Sequence, residues 1–282
     1  MSDIKELDEQ TTTQLLKGID IPPQPQVLRV VMAEQQQKDP DLRKIAAAVA
    51  KDVGLSAAML RAANSPAFGL RQKATSISQA VMLLGMGNTV SLVTGLSLRM
   101  VMSGKGKIRL ERFWDTASDT AMICSVLARR FKIMAADQAH MLGLFHDCGI
   151  PLLMQRFPNY VEVLRKANAD TQEPITSIED RHFNTNHAVI GYLVGRSWFL
   201  SEEIREIIHH HHDEAFLSNP HDEVLASRIS LLILAEYLCH LYHRESDDVV
   251  WQRVGSNVMQ LLDLNETTLQ ELNEDVKDLL SS

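Results

Sequence analysis

Glycine and proline are scarce in this chain, 13 and 9 of 282 residues, and aromatic residues make up only 5% of it. Sheets favour aromatic and β-branched residues joined by glycine- and proline-rich turns, so this scarcity argues against a sheet. Abundant alanine, leucine, methionine and glutamine argue for helix. The three cysteines, Cys124, Cys148 and Cys239, are far apart and form no Cys-x-x-Cys pair. That excludes a disulfide framework and leaves buried, reduced thiols in apolar helical stretches as the expectation. The N-terminus, MSDIKELDEQ, is acidic and polar and lacks the features of a signal peptide. No uninterrupted apolar run approaches the roughly 20 residues of a membrane-spanning helix. Basic residues are outnumbered, 28 against 36 acidic ones, for a net charge of −8, so no global field attracts nucleic acid. The sequence also lacks a Walker loop, a dinucleotide-binding glycine fingerprint and a Gly-x-Ser-x-Gly elbow. These absences point to a soluble cytoplasmic protein with no membrane and no nucleic-acid partner.

Helix signals recur along the chain. Asp39 and Pro40 read as N-cap and first residue of a helix whose face carries Leu42, Ile45, Val49 and Val53. Asp52 to Leu55 turns into an alanine-rich helix ended by Asn64-Ser65-Pro66, with Asn64 suited to a left-handed position. Ser76 and Gln79 have capping-box spacing, and Gly85-Met86-Gly87 separates that helix from an apolar one over 90–102. Ser103-Gly104-Lys105-Gly106-Lys107 reads as a flexible basic linker between two helical halves. Beyond it the periodicity predicts helices over 111–131, 137–149, 151–168, 186–199, 201–212 and 223–243, then from Trp251 to Leu262, and a last one capped by Asn265. No strand pattern stands out. The expected fold is all-α, a compact multi-helix bundle.

The eleven histidines are unevenly spread. In the 201–212 helix, Ile204, Ile207 and Ile208 mark the buried stripe. His211 follows Ile207 by four and points inward, His212 follows Ile208 by four at the edge, and His209 and His210 point to solvent. His187 shares a face with Ile190, Val194 and Trp198. Glu236 aligns with Ile229 and Ile233, and a carboxylate there needs a partner. One bundle interior thus gathers His146, Asp147, His187, His211, His212 and Glu236. Imidazole and carboxylate together suit a divalent transition metal such as zinc, iron, manganese or nickel. The bland alternative is that these histidines are hydrogen-bonded core residues and Glu236 simply pairs with one of them.

The order of motifs resembles the HD superfamily of metal-dependent phosphohydrolases and, more closely, the HDOD domain, a bacterial signalling relative. The resemblance rests on IPPQPQVL at 21–28, the 39–69 segment, SISQAVMLLG at 76–85, GLFHDCGIPLL at 143–153, HAVIGYLVGRSW at 187–198 and the paired histidine before Asp213. It implies an HDOD domain over 15–214, with an N-terminal helical half at 15–107 and an HD-like half at 108–214, and a helical extension at 215–282 packed on the HD-like half. It further implies His146 and Asp147 as the metal-binding doublet, joined by His187 and His211 or His212. The early histidine of catalytic members falls near Thr116, a much poorer ligand. The late aspartate falls in the 223–243 helix, where Glu236 stands. The Gly-Tyr-Pro of cyclic-dinucleotide phosphodiesterases does not follow the histidine pair.

The expectation is a regulatory signalling module with a degenerate metal site, binding a signalling protein or a small phosphorylated ligand. The alternative is a metal-dependent phosphohydrolase acting on a nucleotide or similar phosphoester. In that case Lys105, Lys107, Arg109 and Arg112 would either receive phosphate or form a solvated linker.

Overall fold

A computed structural model of the chain describes residues 16, 18–65, 68, 70, 72–102, 110–244 and 248–281. The expected linker at 103–107, together with Arg109, Pro66 and the boundary at residue 15, lies outside the described residues. Among the described residues every regular element is helical, as the composition predicted.

The N-terminal part comprises α1 (Gln26–Gln35), α2 (Leu42–Val49), α3 (Val53–Ala63) and α4 (Ile77–Met102), with α1, α2 and α3 packed on α4. Helix α1 has no counterpart among the predicted elements. The cap of α2 is Asp41, not Asp39: its carboxylate accepts from the Arg43 amide at 2.9 Å. Ile45 and Val49 are buried as expected, whereas Val53 opens the next helix and is exposed. Asp52 caps α3 through the Leu55 amide. Asn64 is not left-handed (φ −85°). Its side chain instead bridges the loop, donating to the Ala74 carbonyl at 2.9 Å and accepting from the Ala74 amide at 2.7 Å. Gly85, at φ 72° and ψ −177°, breaks α4 into two helical segments. An L side chain is strained at that φ, so glycine is what permits the kink.

The remaining chain forms α5 (Glu111–Phe131), α6 (Ala136–Phe145), α7 (Gly149–Arg156), α8 (Tyr160–Ala167), α9 (Ile175–Phe183), α10 (His187–Ser197), α11 (Glu202–His210), α12 (Glu214–Ser218), α13 (Glu223–Arg244), α14 (Val249–Leu261) and α15 (Glu266–Leu280). The single helix expected over 151–168 is two, because Phe157 precedes Pro158 and is held extended at φ −117°, ψ 111°. The helix expected over 137–149 stops at Phe145, and residues 146–148 form a turn into α7. Asn186, Ser201, Asp213, Asp248 and Asn265 each cap a following helix through their side-chain oxygens.

The pair α5–α6 is central. Helix α4 packs on α6 from the N-terminal side, α13 lies along α5, and α10 packs between α7 and α11. One apolar core runs through all of this, from Ile19 to Val276. Trp198 ties the ends of the domain together: its indole N–H donates to the Pro22 carbonyl at 2.9 Å, and its carbonyl accepts from Gln24 at 3.2 Å. The IPPQPQVL stretch is thereby strapped onto the end of α10.

Two helices, α4 and α13, are long and apolar enough to cross a membrane by length and composition, with mean hydropathy 1.5 and 1.6. This departs from the reading of uninterrupted runs, because a window average tolerates breaks: glycine, serine and threonine interrupt the apolar residues of α4, and Arg228 and Glu236 those of α13. Of the two apolar windows, 61% and 56% are buried against the rest of the fold, as in the core helices of a bundle.

Candidate metal centre

The His146-Asp147 doublet sits on the turn between α6 and α7, where neither side chain is committed to a helix face. Gly149 immediately after it lies against the backbone of His187, and a Cβ there would overlap the His187 carbonyl. Glycine at this position lets the first turn of α10 approach the doublet. On the opposite side α11 ends at His210, so His211 and His212 follow its last turn and face His187, with ring centroids 5.3 and 4.9 Å away. Helix α13 brings Glu236 to His146, Oε1 to Nε2, at 3.4 Å.

Three imidazoles have their Nδ1 atoms fixed by acceptors. His146 donates to the Gly143 carbonyl at 2.8 Å, His211 to the Ile208 carbonyl at 2.6 Å, and His187 to the Glu179 carboxylate at 2.7 Å. A carbonyl cannot donate, so Nδ1 carries the hydrogen in His146 and His211, and Nε2 keeps its lone pair in the neutral ring. These Nε2 atoms converge on Asp147. His187 and His211 lie 3.3 and 3.6 Å from its Oδ1 and 3.4 Å from each other, and His146 lies 3.4 Å from Oδ2. Asp147 Oδ1 is enclosed and has no partner in hydrogen-bonding geometry. Electron-pair donors facing one another in a buried site repel unless a proton or a cation lies between them. The donor set therefore fits a metal ion. Potential ligand atoms of Asp147, His187, His211 and His212 lie within 4.8 Å of one another, as do those of His146, Asp147 and Glu236, and Asp147 belongs to both groups.

The electrostatics follow from this crowding. Burial pushes the Asp147 carboxyl up, but His146, His211 and His187 outweigh it and hold the group well below the ordinary carboxylate range. Burial opposes charge on His146, yet Asp147 and Glu236 hold its imidazolium well above the ordinary histidine range. His187 is raised in the same way, burial being outweighed chiefly by Glu179. His212 goes the other way: burial, then the neighbouring His211 and His187, push it well below. The cleft over the centre holds about 420 Å³ and includes Thr116, Arg112 and Arg253 among its walls. Arg253 is held by Glu214 at 2.6 Å and by the Asp170 carbonyl at 2.8 Å.

All six residues expected at the site from sequence are brought together here. His209 and His210, expected in solvent, are half-buried: His209 rests against Tyr192, and His210 stacks on Phe216 at 5.6 Å. Glu179 was missed. It is fully buried in α9, takes two hydrogen bonds from His187, and accepts a third, very short one from the Tyr160 hydroxyl. A carboxylate behind a histidine fixes its tautomer and raises its basicity toward a metal. Its signal was there to read: Glu179 follows Ile175 by four, on the buried stripe of that short helix.

The family model of the HDOD domain matches residues 21–214. The chain belongs to the HDOD family. An uncharacterized protein of Treponema pallidum (strain Nichols) is 26% identical to the HDOD chain over 209 residues, which cover 72% of this chain and 40% of that protein. The chain thus spans well under half of that relative's length. Among solved structures, a candidate phosphohydrolase of Shewanella amazonensis SB2B superposes with a TM-score of 0.71 at 22% identity, covering 94% of this chain and 93% of that one. An HDOD domain protein of unknown function from Geobacter sulfurreducens superposes with a TM-score of 0.67 at 20% identity, covering 96% and 99%. At these identities the likeness shows a shared HDOD fold.

Proposed function

We propose that this HDOD chain is a regulatory signalling module of the cytoplasm. In this reading it holds a divalent transition metal on Asp147, His187 and His211, with His146, His212 and Glu236 completing the set, and acts by binding a partner protein or small phosphorylated ligand. The observation that carries the reading is the convergence of two imidazole Nε2 atoms on the unsatisfied Oδ1 of Asp147. A bound metal of this kind supplies Lewis acidity and an activated water. The chain's own residues orient and neutralise: Glu179 holds His187, the Gly143 and Ile208 carbonyls hold His146 and His211, and Arg112 adds positive charge to the cleft wall. Thr116 offers only a hydroxyl at the wall where the resemblance to catalytic HD proteins calls for histidine. That shortage of ligands favours binding over turnover.

A second reading, a metal-dependent phosphohydrolase, is favoured by one observation: the cleft over the donor set is roomy and contains arginine. Protein reconstituted with manganese, iron or nickel and offered a panel of phosphoesters separates the two. The signalling reading predicts metal uptake without turnover. Hydrolysis that disappears in the H146A/D147A double variant would instead establish the second reading.

A further inference from the structure

Helices α5 and α13 carry a second cluster of ligating side chains beyond the HDOD centre. Cys239 and His243 are four residues apart and therefore share one face of α13. Asp119 faces them from α5, its Oδ2 2.8 Å from His243 Nε2. A carboxylate oxygen, Sγ and an imidazole nitrogen of the three residues all lie within 4.8 Å of one another. Cys239 is buried, with Sγ 3.9 Å from the Thr116 carbonyl, while the Asp119 and His243 side chains are 21% and 37% exposed. The cluster thus has one enclosed sulfur and two ligands that reach solvent. The same helix pair supplies Thr116 and Glu236 to the first centre, each three residues before Asp119 and Cys239. A cavity of about 150 Å³ is lined at once by His146, Asp147 and Glu236 and by Cys239 and His243.

We propose that Asp119, Cys239 and His243 form a second metal site, for a soft divalent cation of the zinc class, one helical turn along α5 and α13 from the first centre. Thiolate, imidazole and carboxylate are the ligand types zinc takes, and three protein ligands leave one position open to water or a ligand. The first centre offers only nitrogen and oxygen, so sulfur distinguishes the two sites and biases the second toward zinc over manganese, magnesium or calcium. Nothing in the cluster depends on the first centre being filled.

Cobalt(II) titration of the full chain under reducing conditions tests this, because cobalt bound to thiolate gives a charge-transfer absorption that nitrogen and oxygen ligands do not. The expected result is a thiolate band that zinc abolishes and that persists in C124S, C148S and H146A/D147A. The band is lost in C239S, and cobalt affinity falls by at least roughly tenfold in H243Q and D119N, no less than the loss of an outer-shell partner costs. Should C239S fail to fold, H243Q and D119N, altered at partly exposed positions, carry the test. Absence of the band in wild type, or its survival in C239S or unchanged in H243Q and D119N, leaves His243 and Asp119 an ion pair only. Loss of metal from the first centre alone, in H146A/D147A, bears on the signalling reading and leaves this site's band in place.

Discussion

Glu179→Gln keeps the shape of a fully buried carboxylate and removes its charge, which isolates what that charge does for His187. The wild-type oxygens accept from His187 Nδ1 at 2.7 Å, from the His187 backbone amide at 3.1 Å, and from Tyr160. In the glutamine variant one oxygen still accepts from His187, while the amide nitrogen meets the tyrosine hydroxyl, which must turn to accept. Hydrogen bonds to a charged group contribute about 1.5–3 kcal/mol and neutral ones about 0.5–1.5. The substitution should therefore cost about 1–2 kcal/mol of stability, and about 10–100-fold in metal affinity through the lost outer-shell carboxylate. Glu179→Ala leaves three buried donors unpaired and should cost about 3–5 kcal/mol. Urea unfolding in the presence of chelator gives the first quantity, and competition with a chromophoric chelator gives the second. Glutamine binding metal as tightly as wild type would refute the argument that Glu179 acts through a ligating His187. An alanine variant no less stable than the glutamine one would refute the hydrogen-bond reasoning.

His140 is buried, and burial, then the Arg129 charge, bring its pKa from 6.5 down to about 4. The unfolded chain takes up this proton near pH 6.5 and the folded chain only near pH 4. Stability therefore falls as pH drops through that window, by about 3 kcal/mol in all from this residue, and is unaffected by it above. Urea unfolding from pH 7.5 to 4 should show a shallower acid limb in H140Q, and an unchanged slope would contradict the assignment. Gly149→Ala should destabilise by about 2–3 kcal/mol and weaken metal uptake, since the added Cβ drives α10 off the doublet; melting and metal competition together check it. Asn64→Ala should cost about 1–3 kcal/mol by freeing the buried Ala74 amide and carbonyl. Arg130→Ala, which removes half-exposed contacts to Glu271 and Asp275, should cost under about 1 kcal/mol; a larger loss in urea unfolding would show the pair to be better shielded than its exposure implies.

Much of the centre was readable because its ligands obey helical arithmetic. His187, His211 and Glu236 each stand three, four or seven residues from apolar neighbours that proved buried, so each was assigned inward from its own helix alone. His146 and Asp147 were found by motif, since the turn that carries them has no period. Glu179 escaped because the periodicity predicts no helix between 168 and 186, where the nine residues of α9 lie. The half-burial of His209 and His210 depends on Tyr192 and Phe216, from α10 and α12, which no local pattern reveals. Boundaries failed where two signals competed. Asp39 and Asp41 flank Pro40, and the carboxylate that reaches an amide decides between them. The break at Phe157 was written in Pro158 but masked by apolar residues on both sides. The Trp198 strap to Pro22 joins residues 176 apart and lies beyond any local inference.

The proposed metal centre consists of Asp147 and the five residues around it, His146, His187, His211, His212 and Glu236. Plasma mass spectrometry of untagged protein, in a C239S background so that only this centre is counted, measures it most directly. The expected result is near-stoichiometric iron, manganese, nickel or zinc that disappears in H146A/D147A and H187A/H211A. Metal-free protein from metal-replete cells that also takes up none of these ions on titration, with stability unchanged by either double substitution, would contradict it.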